Sequence, residues 1–186
     1  MKARRQNLSP PLSRGNNSTN PFRTMAEKTN VARLLDQAHI PYQLVPYTVH
    51  EDDLGAETVA RELGENIHQV FKTIVLTGDK VKHLVCVVPG HLEVHLKHAA
   101  KASGNKKCEP LPLKLLLPTT GYIRGGCSPI GMKKALPTYI DTSAQNFPYI
   151  YVSAGRRGLQ LRISPQDLAK MARATFADIA TEESEA

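Results

Sequence analysis

The sequence predicts an α+β domain built on a mixed sheet. Roughly six or seven short strand-like stretches are separated by single helical stripes, and two pairs of strands are joined by turns too short to hold a crossover helix. Parallel neighbours need such a crossover, so the tight turns exclude a doubly wound parallel architecture. No internal repeat is visible.

Taken in order, Val31, Leu34, Leu35 and Ala38 have the three-and-four spacing of an amphipathic helix that starts after Thr29 and is stopped by Pro41. Tyr42 to Val49 reads as extended, with Pro46 marking an edge strand. The acidic loop Glu51, Asp52, Asp53 leads into a short helix from Ala56 to Leu63, closed by Gly64. Val70 to Leu76 and His83 to Val88 form a hairpin turned at Thr77-Gly78-Asp79-Lys80, and Pro89-Gly90 ends it. A helix follows from Leu96 to Ser103, then a short strand near Lys107 and a brief helix around Leu113 to Leu117. Thr138 to Ile140 is a strand. Tyr149 to Ser153 and Leu159 to Ile163 form a second hairpin about Ala154-Gly155-Arg156-Arg157-Gly158. Ser164 as N-cap, Pro165 at the first helical position and Asp167 three residues after the cap open the last helix. Its expected buried stripe is Leu168, Met171, Ala172, Phe176 and Ile179.

The chain has 186 residues, 41% hydrophobic and 22% charged, which suits one soluble globular domain with a full core. No apolar run reaches the ~20 residues of a membrane helix. Of the net charge of +7, most arises in residues 1–24, where five cations stand without an acid. That leader lacks the apolar region of a secretory signal, and Arg4-Arg5 lacks the apolar segment of a twin-arginine signal. It reads as a disordered basic extension (1–24) ahead of a folded domain (25–181) and an acidic tail (182–186). Cys86, Cys108 and Cys127 are odd in number and never in a C-x-x-C pair, which fits a reducing, cytosolic setting over a disulfide framework.

Charge is uneven within the domain. Between Lys97 and Lys134 lie eight Lys or Arg against the single acid Glu109, a pattern that suits either a phosphate-rich partner or a solvated lysine-rich face. Inside this segment Gly121 to Lys134 holds glycines, a proline and a serine beside two lysines, which fits a surface turn or a loop whose bare amides bind an anion. Gly126-x-x-x-x-Gly131 has Walker A spacing, yet Met132 stands where the phosphate-binding lysine belongs, so a nucleotide triphosphatase is excluded. His91, His95 and His98 are spaced for one helix face but do not form H-E-x-x-H, and they read as exposed histidines with no metal. Cys127 has no histidine near it in sequence to activate it, so it reads as a packed thiol. Lys72 is the residue that needs a reason: strand alternation puts it on one face with Val70, Ile74 and Leu76, where it either snorkels to solvent or points into a cleft.

Phe71-Lys72-Thr73, the Gly121 to Lys134 loop with Leu136-Pro137-Thr138, and Tyr151-Val152-Ser153-Ala154-Gly155-Arg156-Arg157-Gly158-Leu159 together resemble the bacterial YbaK Cys-tRNA(Pro) deacylases, in the same order, from about Val31 to Ile179. The resemblance implies a trans-editing hydrolase of the family that includes the editing domain of prolyl-tRNA synthetase, with a mixed, barrel-like sheet surrounded by helices. It implies no cofactor and no metal, a mischarged tRNA as partner together with prolyl-tRNA synthetase, and attack on the ester by the substrate's own thiol. On the same ground Lys72, Gly125 and Gly126 are the catalytic residues, the glycines offering amides from a G-x-x-x-P loop that ends at Pro129. Tyr47, Thr73, Ser128, Pro129, Ser153 and Gln160 are implied to bind substrate, and Lys133, Lys134, Arg156 and Arg157 to bind tRNA. Gln160 stands where the family has an acid, and Leu54 where it can have phenylalanine. Another mischarged tRNA, such as Ala-tRNA(Pro), and a non-catalytic tRNA- or partner-binding module are the alternative readings.

Overall fold

The computed structural model describes residues 28–182. The basic leader and the end of the acidic tail lie outside them. Helix α1 (Asn30–Gln37) starts where Thr29 accepts the Ala32 amide, and α2 (Ala56–Leu63) ends on Gly64 in the left-handed conformation. Helix α5 (Pro165–Ala172) opens on Ser164, whose side chain accepts the Asp167 amide. Each cap satisfies a backbone group that the helix leaves unpaired.

Among the described residues, ten strands make three sheets. In the first, β1 (Gln43–Pro46), β8 (Leu159–Ile163) and β7 (Ile150–Arg156) are antiparallel in the order β1-β8-β7, with the proline-bearing strand at an edge. The second has five strands in the order β5-β2-β3-β6-β9: β2 (Phe71–Gly78), β3 (His83–Pro89), β5 (Cys108–Pro110), β6 (Thr138–Asp141) and β9 (Thr175–Ala177). Its β3-β6 and β6-β9 pairs are parallel and the rest antiparallel, so the sheet is mixed. The third pairs β4 (Glu93–Val94) with β10 (Ala180–Thr181). The α+β class is as expected, but the sheets are open and separate where a barrel-like sheet was implied. Only a bridge between Val70 and Tyr151 links the first two among the described residues.

The main core lies between the two larger sheets. Phe71, Val75, Val85, Val87 and Ile140 meet Ile150, Val152, Leu161 and Ile163, closed by Val31 and Leu35 of α1 and Leu168 of α5. The opposite face of the five-stranded sheet, with Leu76, Leu84, Cys86 and Val88, is covered by Ala99 and Ala100 of α3 (Leu96–Ser103) together with Val94 and Ile179. Each large aliphatic chain buried this way contributes about 1.5–3 kcal/mol.

The last helix differs from expectation. It stops at Ala172, because Arg173 turns left-handed, and the chain becomes extended. Phe176 then pairs beside Ile140 in parallel register and Ile179 reaches the second core, so neither belongs to a helical stripe. Buried Asp141 fixes this ending, since its Oδ1 accepts the Ile179 and Ala180 amides at 3.0 Å each. Removing the carboxylate strands two amides at the sheet edge. Asp141→Ala is expected to cost about 2–4 kcal/mol in urea denaturation, and Asp141→Asn, which keeps one acceptor oxygen, markedly less.

Candidate functional site

The cavity that collects the predicted residues is lined by both large sheets. It has a volume of ≈ 440 Å³. Tyr47, Ser153 and Gln160 come from the three-stranded sheet, and Phe71, Lys72, Thr73 and Val75 from β2. The start of α2 with Leu54, Gly55 and Ala56 gives one apolar wall, and Leu111, Leu113 and Leu116 give another. Arg124, Gly125 and Cys127 close it on the glycine loop.

Strand register explains the polar part of the wall. Ser153 and Gln160 are direct partners across β7 and β8, so they stand side by side on the sheet face opposite to Val152 and Leu161. Ser153 Oγ accepts the Gly155 amide at 3.2 Å. Gln160 is only 5% exposed, yet its Oε1 has no hydrogen-bond partner, and the same holds for the buried Oγ1 of Thr73. An unpaired buried oxygen costs about 1–3 kcal/mol. Both residues line the cavity, while the other two buried atoms without a partner among the described residues, His91 Nδ1 and Arg162 Nε, lie outside it.

Lys72 sits opposite Val88 in the β2-β3 ladder, on the face it shares with Ile74 and Leu76. That face is covered farther along by α3, but at Lys72 it opens on the cavity. The ammonium makes an ion pair at 3.3 Å with Glu93 of β4, and the lysine side chain keeps 24% of its exposure. So the lysine is held at the rim.

The glycine loop follows helix α4 (Leu116–Thr120), which Gly121 ends in the left-handed conformation. Gly125 has φ +85°, a conformation that a side chain would strain, and a Cβ there would also press on Arg157 and Leu54 at 3.3–3.4 Å. A Cβ on Gly126 would lie 3.1 Å from the Arg156 backbone, so this glycine lets the loop pack against the β7-β8 turn. The Gly126 amide is already committed, donating to the Ile123 carbonyl at 3.0 Å. Among the described residues the Gly125 and Cys127 amides donate to no backbone acceptor.

Two predicted residues fall elsewhere. Ser128 is fully buried and turned into the loop, its Oγ accepting the Ile130 amide at 3.2 Å, and Pro129 faces a different hollow beside Met132, Leu136 and Met171. The reason is the tight G-x-x-x-P turn, which sends its second half away from the cavity. Lys133, Lys134 and Arg156 are exposed. Arg157 is engaged: its Nε donates to the Arg124 carbonyl and its Nη1 pairs with Glu51, both at 2.8 Å, so it ties the acidic loop to the glycine loop. Sequence reasoning gave no role to Arg124, to this tie, or to the leucines of the 113–116 wall. The acid-free run of basic residues around them was the available signal.

The three histidines do not converge. His95 caps α3 and stacks on His98 at 3.6 Å, while His91 meets His68 edge-on at 4.6 Å. Burial pushes the Cys127 thiol up to about 12, and the Cys86 thiol likewise. Both thiols are therefore protonated at neutral pH.

A cleft lined by two open sheets, with a lysine at its rim, is the candidate site of this α+β domain. The chain belongs to the aminoacyl-tRNA editing domain family, whose sequence model matches residues 50–171. It is 49% identical to an Enterococcus faecalis protein, EbsC, named as a candidate Cys-tRNA(Pro)/Cys-tRNA(Cys) deacylase, across 84% of this chain and 96% of that one. The fold is shared with a crystal structure described as a candidate trans-editing enzyme for prolyl tRNA synthetase, at 22% identity and TM-score 0.70 over 82% of this chain and 98% of the other. It is also shared with the hypothetical protein APE2540, at 18% identity and TM-score 0.74 over 81% and 99%.

Because the Thr73 hydroxyl and Gln160 carbonyl have no partner, Thr73→Val and Gln160→Met are expected to leave the melting temperature unchanged or higher while weakening ligand binding. A thermal melt read beside a binding or activity assay checks both halves. Iodoacetamide at pH 8 is expected to leave Cys86 and Cys127 unmodified in the folded protein and to label them after denaturation, as read by mass spectrometry.

Proposed function

We propose that this protein deacylates Cys-tRNA(Pro) in trans, with the aminoacyl group in the cavity and the tRNA outside it. The observation that carries the reading is a ≈ 440 Å³ cavity that Lys72, Thr73, Gly125, Ser153 and Gln160 line together. Such a space admits an amino acid and not a nucleotide stem. The name of the Enterococcus relative supports the choice of cysteine and of tRNA(Pro).

In this reading the ester carbonyl oxygen faces the Gly125 and Cys127 amides, which stabilise the negative charge that grows on it. Gly126 acts through its packing and its hydrogen bond to Ile123, which set the loop. Lys72 orients the terminal adenosine or its phosphate at the rim. Tyr47, Ser153, Thr73 and Gln160 enclose the amino acid. The nucleophile is the substrate's own sulfur: a sulfur–carbon bond forms at the carbonyl, the ester carbon–oxygen bond breaks, and the thiol proton passes to the departing ribose oxygen. Water then opens the small cyclic thioester to free cysteine. The elevated pKa of Cys127 supports a nucleophile supplied by the substrate.

Lys133, Lys134 and Arg156 hold the tRNA backbone in this scheme, so binding weakens as salt rises. Prolyl-tRNA synthetase is the natural source of the tRNA, and the cytoplasm the place where the two meet. A second reading, Ala-tRNA(Pro) as substrate, has the neutral Gln160 in its favour, since the resembling family carries an acid there.

A panel of Cys-, Ser- and Ala-charged tRNA(Pro) decides between them. Cysteine is expected to leave much faster than serine, which has the same size but no thiol. Equal rates for all three would sink the thiol mechanism. Lys72→Ala is expected to lower kcat/KM for Cys-tRNA(Pro) at least ~100-fold with the melting temperature little changed.

A further inference from the structure

The cavity holds an amino acid, and the ester ties that amino acid to the ribose of an unpaired terminal nucleotide. On the reading above, the bases next to that ribose must then lie against one side of the mouth. The sides differ sharply in charge and polarity.

One side carries Glu51, Asp52 and Asp53 in the loop before α2, all exposed. A second side runs from Leu113 to Ile123. Among the described residues the large apolar side chains that stand exposed are Leu113 (60%), Leu115 (41%), Leu117 (54%) and Ile123 (48%), all in this one stretch. The stretch is continuous with the cavity, because Leu113 and Leu116 are themselves part of its wall. Cations surround it: Lys114 lies within it, Arg124 follows it at the mouth, and Lys133 is fastened beside its end by the hydrogen bond from its amide to the Thr120 carbonyl at 2.9 Å. No Asp or Glu occurs between Glu109 and Asp141. A protein partner with an apolar face would have no need of this run of like charges, whereas a single-stranded nucleic acid offers flat apolar base faces and phosphates in the same alternation.

We propose that the exposed leucines and Ile123, framed by Lys114, Arg124 and Lys133, form a platform for the unpaired 3′-terminal nucleotides of the tRNA. The bases lie on the aliphatic surface, and the intervening phosphates meet the cations. This rests on the deacylase reading for its ligand, but its test does not use the ester.

The test compares two uncharged acceptor-stem minihelices, one with the four-nucleotide unpaired 3′ end and one blunt, for binding to the wild type, to a Leu117→Ser/Ile123→Ser double variant and to Lys114→Ala/Lys133→Ala. Both sets of positions are exposed, and thermal melts verify that the variants fold. The wild type is expected to prefer the tailed minihelix by ~10-fold or more. The apolar variant is expected to lose that preference while binding the blunt minihelix as before. The lysine variant is expected to bind more weakly and to show a shallower salt dependence. Equal wild-type binding to the two minihelices, or an undiminished preference in the apolar variant, overturns the platform. So does a double variant that binds RNA normally but loses association with purified prolyl-tRNA synthetase. A wild type that prefers the tailed minihelix yet cleaves no charged tRNA keeps the platform and removes the deacylase reading. Cleavage without tail preference does the reverse.

Discussion

Strand β2 has to satisfy two cores at once. Phe71 and Val75 point into the space between the large sheets, while Ile74 and Leu76 point under α3, and the two-residue period of a strand permits no other division. A slip of one residue would drive Lys72 into the main core and bring the apolar set to the wrong face. The antiparallel ladders to β3 and β5 on either side prevent that slip. The position of the lysine at the rim, and of the Thr73 hydroxyl in the cavity, is thus a by-product of the same packing that holds the domain together.

The cavity is bounded by both large sheets, whose only bridge to one another among the described residues is at Val70 and Tyr151. The rest of its boundary comes from the start of α2, the glycine loop and the 111–116 segment. Arg157 crosses between two of these boundaries. The site is therefore made of several chain segments that are distant in sequence, each anchored in a different layer.

That construction decides what could be read from the sequence. Helix starts and stops were legible where one residue type carries a strong local preference, as at Ser164 and Gly64. The period-two pattern likewise placed Lys72 on its correct face. The end of α5 was not legible, because the spacing of Phe176 and Ile179 continues the helical stripe while Arg173, a residue with no strong bias to the left-handed conformation, breaks it. At the site, Tyr47, Thr73, Ser153 and Gln160 were reached through the resemblance of their motifs. Ser128 and Pro129 were misplaced because a motif gives order along the chain and not which half of a turn faces a cavity. Arg157 was assigned to tRNA, and its tie to Glu51 and Arg124 was not legible because both are far from it in sequence. The unpaired state of the two oxygens is a property of packing in three dimensions and has no signature in one.

The loop that closes the cavity holds two main-chain amides, of Gly125 and Cys127, that donate to no backbone acceptor among the described residues. A side-chain donor can be deleted by one nucleotide change; a main-chain donor persists whatever residue is encoded, as long as the turn is kept. The parts of the cavity that can vary freely are instead the walls, Leu54, Gln160 and the leucines of the 111–116 segment. A site divided in this way can vary its side-chain walls while its main-chain donors persist.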